Sequence, residues 1–325
     1  MTMLTKNQQR ALSLTILVAA SFYLVFIFSA DTNKILQAMK RISVTDWLII
    51  LTCSFVNYSL RFIRWHTYIS SFGHHIPVKL HFTYYLAGLA LTTTPAKAGE
   101  TLRSLYLLPH HVRITESLAS FFTERLLDAV VMVLLASLVF LTLPEFEKKY
   151  AVFIFTLLLA LVLTLPLLST RYPQTFLLFI KDRLPGEKIN KLIVNTVSLL
   201  NSAKSLLSVR HLYRGLIIGF FAWMIQGMAF YFILQKIGFP LDIPTALTVY
   251  AISILAGAAS FIPGGIGATE TVMGFLLLAL GSELHIAIAI PILTRLATLW
   301  FAVCVGLLAN VRLSVNNIRP EKQQK

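Results

Sequence analysis

The chain has 325 residues, of which 57% are hydrophobic and only 13% charged, and its mean hydropathy is +0.75. A soluble domain usually carries about 25% charged residues, so this composition excludes an ordinary soluble protein and indicates an integral membrane protein. The formal charge of +14 would suggest nucleic acid as a partner of a soluble protein. Here we expect no nucleic-acid partner and use the basic residues to orient the chain.

Six apolar stretches are long enough to cross a membrane as helices, since about 20 residues span about 30 Å of hydrocarbon. The first follows Lys6 and Arg10 and exceeds the usual apolar core of a signal peptide, so we predict that it is retained. The predicted spans are 11–30, 45–63, 117–143, 151–168, 212–233 and 284–309.

Two further apolar regions, 81–108 and 244–280, are interrupted by "TTTPAKAGE" and "IPGGIGATE". Their halves are mostly too short to cross, so each is either a re-entrant hairpin or a discontinuous crossing helix. Both alternatives stay open. The residues expected to form the breaks or hinges are Pro95, Gly99, Pro263, Gly264, Gly265 and Gly267.

Lysine and arginine concentrate on one side of this arrangement, which predicts that both termini are cytoplasmic. Arg61 and Arg64 are assigned to the cytoplasmic connection after the second span. Segment 171–211 alternates apolar clusters with lysines and is typical of amphipathic helices on an anionic inner leaflet. The expected location is a cell membrane, crossed several times, of the bacterial inner-membrane type.

The two interrupted regions belong to an internal repeat. Both contain "LAG", Pro95 and Gly99 match Pro263 and Gly267, and Arg125 matches Arg295. One span separates the units, so the second enters the membrane from the opposite side. We therefore predict an all-α polytopic membrane protein, 1–325, with about six transmembrane helices and two broken re-entrant hairpins in an inverted repeat. Repeat one covers about 45–143, the linker span 151–168, the amphipathic segment 171–211 and repeat two about 212–309.

Eight ionisable residues lie in or beside the apolar segments, where a charge is costly and pairing is expected. Their spacing places several on shared helix faces. They either pin the hairpins to the spans as ion pairs or bind a substrate, and broken helix ends suit an anionic headgroup. The candidate substrate-binding residues are Lys97, Glu100, Arg103, Glu124, Arg125, Asp128, Glu270 and Arg295.

Three motifs, "PAKAGETLR", "TERLLDAV" and "PGGIGATE", resemble the signature regions of the lysylphosphatidylglycerol synthase transmembrane, flippase-like family. The similarity runs from about Trp47 to Leu308, and Lys97 departs slightly from the first motif. The resemblance implies translocation of charged lipids, in some members aminoacylated phosphatidylglycerol made by a fused synthase domain. Other relatives are linked to polyprenyl- or dolichyl-phosphate glycan pathways and to hopanoids. Lys325 follows the last span closely, so we expect no synthase domain.

Two classes of function follow. The first is a transporter that moves a phospholipid or a polyprenyl-phosphate lipid between leaflets without ATP, since the chain has no phosphate-binding G-x-x-x-x-G-K-[ST] loop. The alternative is an intramembrane enzyme or enzyme accessory in lipid-linked glycan or phospholipid modification, although we recognise no catalytic motif. No catalytic residue, metal site or cofactor is expected. The headgroup, the energy coupling and homo-oligomer formation stay open.

Overall fold

The computed structural model describes residues 32–94, 100–101, 103–138 and 186–315, most of 156–183, and the isolated residues 21 and 140. These residues are helical and contain no strand, as expected of an all-α protein. The first predicted span, 11–30, and much of the linker span, 151–168, lie outside the described residues. So does the first break, 95–99.

The described helices divide into two sets that bracket a pair of connecting helices. The first set is α1 (Thr32–Lys40), α2 (Val44–Ser71), α3 (Val78–Leu89), α4 (Arg103–Leu107) and α5 (Ile114–Ala136), and the connection is α6 (Tyr172–Arg183) and α7 (Glu187–Leu206). The second set is α8 (Val209–Ile237), α9 (Ile243–Ala259), α10 (Ala268–Ala279), α11 (Leu284–Arg295) and α12 (Phe301–Val315).

Two described helices combine the length and the apolar composition that a membrane crossing needs. They are α8 and the continuous run Leu284–Val315, in which a π-helical turn at Leu296–Trp300 joins α11 to α12. At 1.5 Å per residue, the 29 residues of α8 extend about 43 Å, more than the hydrocarbon core requires.

Helices α2 and α8 form the central pair of the bundle and run antiparallel. Lys236 Nζ lies 2.8 Å from Asp46 near one end, Asn57 Nδ2 donates to the Ala222 carbonyl in the middle, and Arg64 donates to the Gly215 carbonyl near the other end. Each is the predicted first span of its repeat. Opposite directions are what an inverted repeat requires, and the repeat itself stays a prediction.

Each hairpin packs against the final helix of the other set. Helix α3 contacts α12, where Asn310 Nδ2 donates to the Ala87 carbonyl at 2.9 Å. Helix α9 contacts α5, where the Thr248 hydroxyl lies 3.5 Å from the Leu135 carbonyl. This exchange interlocks the two sets, so the space between them is enclosed by both.

The second break is a short 3-10 turn, Pro263–Gly265, between α9 and α10. Proline suits the first position of a helical turn because its missing N–H would have no partner there. Gly264 has φ +64°, a left-handed conformation that favours glycine, and a Cβ on it would lie 3.4 Å from Thr93 Cα. The turn therefore lies against the residues that follow α3, directly before the first break.

Candidate functional site

Arg64 of α2 lies at the centre of a buried network of charges. Its Nη2 donates to Asp128 Oδ1 at 2.6 Å, its Nε donates to Glu124 Oε1 at 3.4 Å, and its side chain is fully buried. Gly219 leaves room for the guanidinium, since a Cβ there would lie 2.7 Å from Arg64 Nη1. Buried ions persist when they are paired and hydrogen-bonded, and Arg64 meets that condition.

The second oxygen of Glu124, on α5, contacts α4. Arg103 Nη2 donates to Glu124 Oε2 at 2.9 Å, so this buried carboxylate is shared by two arginines. The Arg103 guanidinium also stacks over the Trp65 ring, with its Cζ 3.5 Å from the ring centroid, and lies 5.0 Å from the Tyr85 ring. Stacking on an aromatic face stabilises a desolvated guanidinium. The predicted residues Arg103 and Glu124 are therefore neighbours.

Arg125 lies at the edge of this network. Its Nη2 is 3.5 Å from Asp128 Oδ2 and 3.9 Å from Glu100 Oε2, and about a fifth of its side chain is exposed. Thr92 donates to the other Glu100 oxygen at 2.8 Å. Arg125 Nε and Nη2 have no hydrogen-bond partner among the described residues, so this guanidinium can still donate.

Glu270 has two interactions that shape the second break. Its Oε2 accepts a hydrogen bond from the Gly267 N–H at 2.8 Å, which satisfies a free donor at the start of α10, and its Oε1 accepts from Arg295 Nε at 2.9 Å. Arg295 Nη2 also donates to the Gly264 carbonyl. Glu270 and Arg295 thus hold the 3-10 turn against α11.

The pairs Glu100–Arg125 and Glu270–Arg295 occupy equivalent places in the predicted repeat. Each glutamate follows a break, each arginine lies on the helix after the hairpin, and both members are displaced by the same number of residues. The second pair is closer than the first, 2.9 Å against 3.9 Å between nearest charged atoms. The first half is therefore the looser of the two at this position.

A cavity of about 370 Å³ lies between the two sets of helices. Apolar side chains make up most of its wall. Phe122 and Ile262 line it and are also exposed on the outer surface, so the cavity lies close to the surface on that side. Its charged lining residues come from both halves, and they are Arg61, Arg125, Asp128 and Arg295.

The structure brings most of the predicted site residues together. Glu100, Arg103, Glu124, Arg125 and Asp128 form one network. Glu270 and Arg295 form a separate pair, of which Arg295 lines the cavity. The predicted residues Pro95, Lys97 and Gly99 lie outside the described part of the chain. Of the predicted hinge residues, Gly264 and Gly265 line the cavity, and Pro263 and Gly267 flank them.

The sequence reasoning missed Arg61 and Arg64, which it placed in a cytoplasmic connection. Helix α2 continues to Ser71, and both arginines are buried inside the bundle, at 4% and 1% exposure. Their spacing of three residues, beside aromatic residues at Tyr58 and Trp65, was the available signal, because it places them on one face of a continuing helix.

Two comparisons place this arrangement among known proteins. The family model described as "Lysylphosphatidylglycerol synthase TM region" matches residues 11–306. The chain is also similar to the UPF0104 membrane protein PH1989 of Pyrococcus horikoshii, with 22% identity over 337 aligned positions that cover 94% of this chain and 98% of the relative.

The family match spans most of the chain and includes the buried network, the second break and the lining of the cavity. The relative has nearly the same extent, which is consistent with a stand-alone membrane domain. The chain is therefore a member of the lysylphosphatidylglycerol synthase transmembrane-region family, whose membrane domains are linked to lipid biology.

Proposed function

We propose that the protein moves a phosphate-bearing lipid, anionic or zwitterionic, between the leaflets of a membrane without ATP. The observation that carries the proposal is the cavity between the two halves, which joins apolar walls to buried arginines. A volume of about 370 Å³ falls in the usual range of small-molecule sites and suits a headgroup better than a whole lipid. The acyl or prenyl tails would stay in the surrounding bilayer, beside Phe122 and Ile262.

Electrostatics support an anionic group at this place. In a low-dielectric site a guanidinium and a phosphate attract each other strongly, and the planar guanidinium matches two phosphate oxygens at once. Arg125 can donate because its Nε and Nη2 are free of hydrogen bonds to described residues. Asp128 and Glu100 balance Arg125 when no headgroup is present, so the empty site has less excess charge.

Movement of the two halves against each other would expose the cavity to one leaflet and then to the other. The Pro263–Gly265 turn and the end of α3 meet at the cavity, so a shift of either hairpin changes its walls. The energy source in this proposal is the lipid gradient or a coupled ion, with a buried carboxylate as the proton carrier. The proposed setting is a bacterial-type inner membrane with both termini in the cytoplasm.

The test is a flipping assay with purified protein in liposomes that contain a fluorescent phosphatidylglycerol. Dithionite bleaches the dye in the outer leaflet, and a flippase exposes the inner pool as well, without nucleotide. We expect dithionite to bleach both pools of dye in liposomes that contain wild-type protein. In liposomes that contain Arg125→Ala it should bleach the outer pool alone. Arg113→Ala is the matched control, because Arg113 precedes the same helix and its side chain is 69% exposed.

A parallel assay with a fluorescent polyprenyl phosphate separates the two lipid classes. If dithionite bleaches only the outer pool of both lipids in liposomes with wild-type protein, neither lipid is flipped and the proposal is refuted. Equal activity of wild-type protein and Arg125→Ala would instead show that the charges near Arg125 are structural.

A further inference from the structure

Arg61 differs from every other arginine in the buried network. Its residue is 4% exposed, its side chain lines the cavity, and its Nε and Nη2 have no hydrogen-bond partner among the described residues. It also makes no ion pair within that part of the chain. Arg61 does make a cation–π contact with Trp223, whose ring centroid lies 5.7 Å from Arg61 Cζ.

A buried guanidinium without an ion-pair partner destabilises the folded protein unless a ligand in the cavity supplies a negative charge. A guanidinium stays protonated even when buried, so Arg61 cannot escape the penalty by losing its charge. A buried charge that is left without a partner strongly destabilises the folded state. Arg64, only one turn away on the same helix, has two carboxylates within hydrogen-bond distance.

The carboxylates of the network are already engaged. Glu124 accepts from Arg64 and Arg103, Asp128 contacts Arg64 and Arg125, and Glu270 contacts Arg295. Among the described residues, the charged network and the cavity wall hold five arginines and four carboxylates, namely Arg61, Arg64, Arg103, Arg125 and Arg295 with Glu100, Glu124, Asp128 and Glu270. Asp46 and Glu116 are also buried, but each pairs with a basic residue outside this group, Lys236 and Arg113. Within the group the excess is one positive charge, and Arg61 is the arginine that makes no ion pair with a described residue.

We infer that Arg61 is the principal ligand of a phosphate-type oxyanion in the cavity, with Arg125 as the second donor. Both guanidinium groups line the same cavity and keep unused N–H donors. Their planar forks fit phosphate oxygens in pairs. The oxyanion is the part of the ligand that Arg61 recognises; that it is carried by a lipid rests on the proposed function.

A cationic headgroup is disfavoured at the same position. Asp128 is the carboxylate that lines the cavity, and it is already shared by Arg64 and Arg125. An amine placed there would meet Arg61 as a like charge in a low-dielectric site, which is unfavourable. The site therefore selects the phosphate of a lipid, and an amine on a zwitterionic lipid would lie away from Arg61.

The first experiment measures thermal unfolding of delipidated protein in a neutral detergent. Arg61→Gln removes an uncompensated charge, so its melting temperature should equal or exceed that of wild-type protein. Arg64→Gln, the matched control on the same helix, should melt lower because it leaves Glu124 and Asp128 short of a partner. If Arg61→Gln melts lower than wild-type protein or fails to fold, Arg61 is a structural residue and the inference is wrong.

The second experiment measures binding by purified protein of three probes. They are dioctanoyl phosphatidylglycerol, dioctanoylglycerol with the same tails and no phosphate, and inorganic phosphate. We expect wild-type protein to bind the phospholipid at least tenfold more tightly than dioctanoylglycerol. Arg61→Gln should lose that tenfold preference, Arg61→Lys should keep part of it, and Arg113→Gln should keep all of it.

The outcomes separate this inference from the proposed function. Arg61-dependent binding of phosphatidylglycerol supports a lipid source of the oxyanion, and Arg61-dependent binding of inorganic phosphate alone supports a free one. Either result upholds the oxyanion site even if wild-type protein flips no lipid. The inference is overturned if wild-type protein binds neither phosphatidylglycerol nor inorganic phosphate. It is also overturned if Arg61→Gln binds both of these probes as tightly as wild-type protein does. Both conclusions hold even when wild-type protein flips lipid normally.

Discussion

Among the individual residues, Arg64 joins two buried carboxylates in one network. It is completely enclosed, and its two carboxylate partners lie on one face of α5 at positions 124 and 128. The attraction between such groups offsets their loss of hydration only while both are present. Each of the three residues therefore depends on the others.

We predict that Glu124→Gln destabilises the protein by about 3–5 kcal/mol, because it leaves two buried arginines, Arg64 and Arg103, without their shared carboxylate. Unfolding by a denaturing detergent, followed by loss of helical signal, measures the change. The control is Glu187→Gln, the same substitution at an exposed position, which should change the free energy of unfolding by less than about 1 kcal/mol. Equal losses in the two variants would contradict the assignment of Glu124 as the centre of the network.

Glu116 makes stability depend on pH. It precedes the predicted span and accepts hydrogen bonds from the Arg113 N–H and guanidinium, and its Oε2 lies 2.8 Å from His74 Nε2. Burial alone would raise the pKa of Glu116, but the hydrogen bonds from Arg113 and His74 outweigh it and lower that pKa. The lowered pKa means that the ionised form stabilises the folded state.

We predict that Glu116→Gln lowers the melting temperature at pH 7 and that the gap narrows as the pH falls. The contribution is fully present above the unfolded pKa of about 4.3 and is lost as the pH falls through the lower folded value. Thermal unfolding at pH 7, 5, 4 and 3 measures it, with the narrowing expected at the two lowest values. Glu187→Gln, at an exposed position, should show no such trend; a pH-independent gap at Glu116 would refute the prediction.

At the level of helices, close contact between α3 and α12 fixes the first hairpin. A Cβ on Gly306 would lie 2.1 Å from the Ala90 backbone nitrogen, and a backbone atom cannot move aside as a side chain can. We predict that Gly306→Ala separates the two helices and destabilises the protein by about 1–3 kcal/mol. Thermal unfolding measures it against Leu308→Ala, a 70% exposed position on the same helix. Similar melting temperatures would show that the contact is not tight.

Composition and the apolar stretches between proline- and glycine-containing breaks were enough to predict helices. The "PGG" stretch marked the second break at the place where the 3-10 turn lies. The same reasoning places Trp47, Trp65 and Tyr85 in the aromatic belts at the membrane interfaces. Trp65 and Tyr85 are instead buried around Arg103. Sequence spacing shows which residues share a helix face but not which helix that face meets.

The same limit explains Arg61 and Arg64. Both follow a long apolar stretch, where a basic residue normally reaches the membrane surface by extending its side chain. Inside the bundle, Gly219 of α8 leaves space for Arg64 instead, and the Gly215 carbonyl accepts a hydrogen bond from it. That space depends on the antiparallel register of α2 and α8, which involves residues far apart in the chain and is not encoded locally.

For the whole molecule, the proposed alternating exposure depends on the direction of the two predicted repeats. Val44 and Val209 begin the equivalent helices α2 and α8, and both are exposed, at 78% and 71%. The antiparallel contacts of these helices place their first residues at opposite ends of the central pair. In an inverted repeat with cytoplasmic termini, Val44 lies outside and Val209 inside.

We predict that Val44→Cys reacts with a membrane-impermeant maleimide in intact cells, whereas Val209→Cys reacts only in inside-out vesicles. Both substitutions are made after Cys53 and Cys304 have been replaced by alanine, so no native thiol contributes. Detergent-solubilised protein is the control, in which both positions should react because both are exposed. Labelling of the two positions from the same side would show that the repeats enter the membrane in the same direction. The proposed alternating exposure of the cavity through two oppositely directed hairpins would then be wrong.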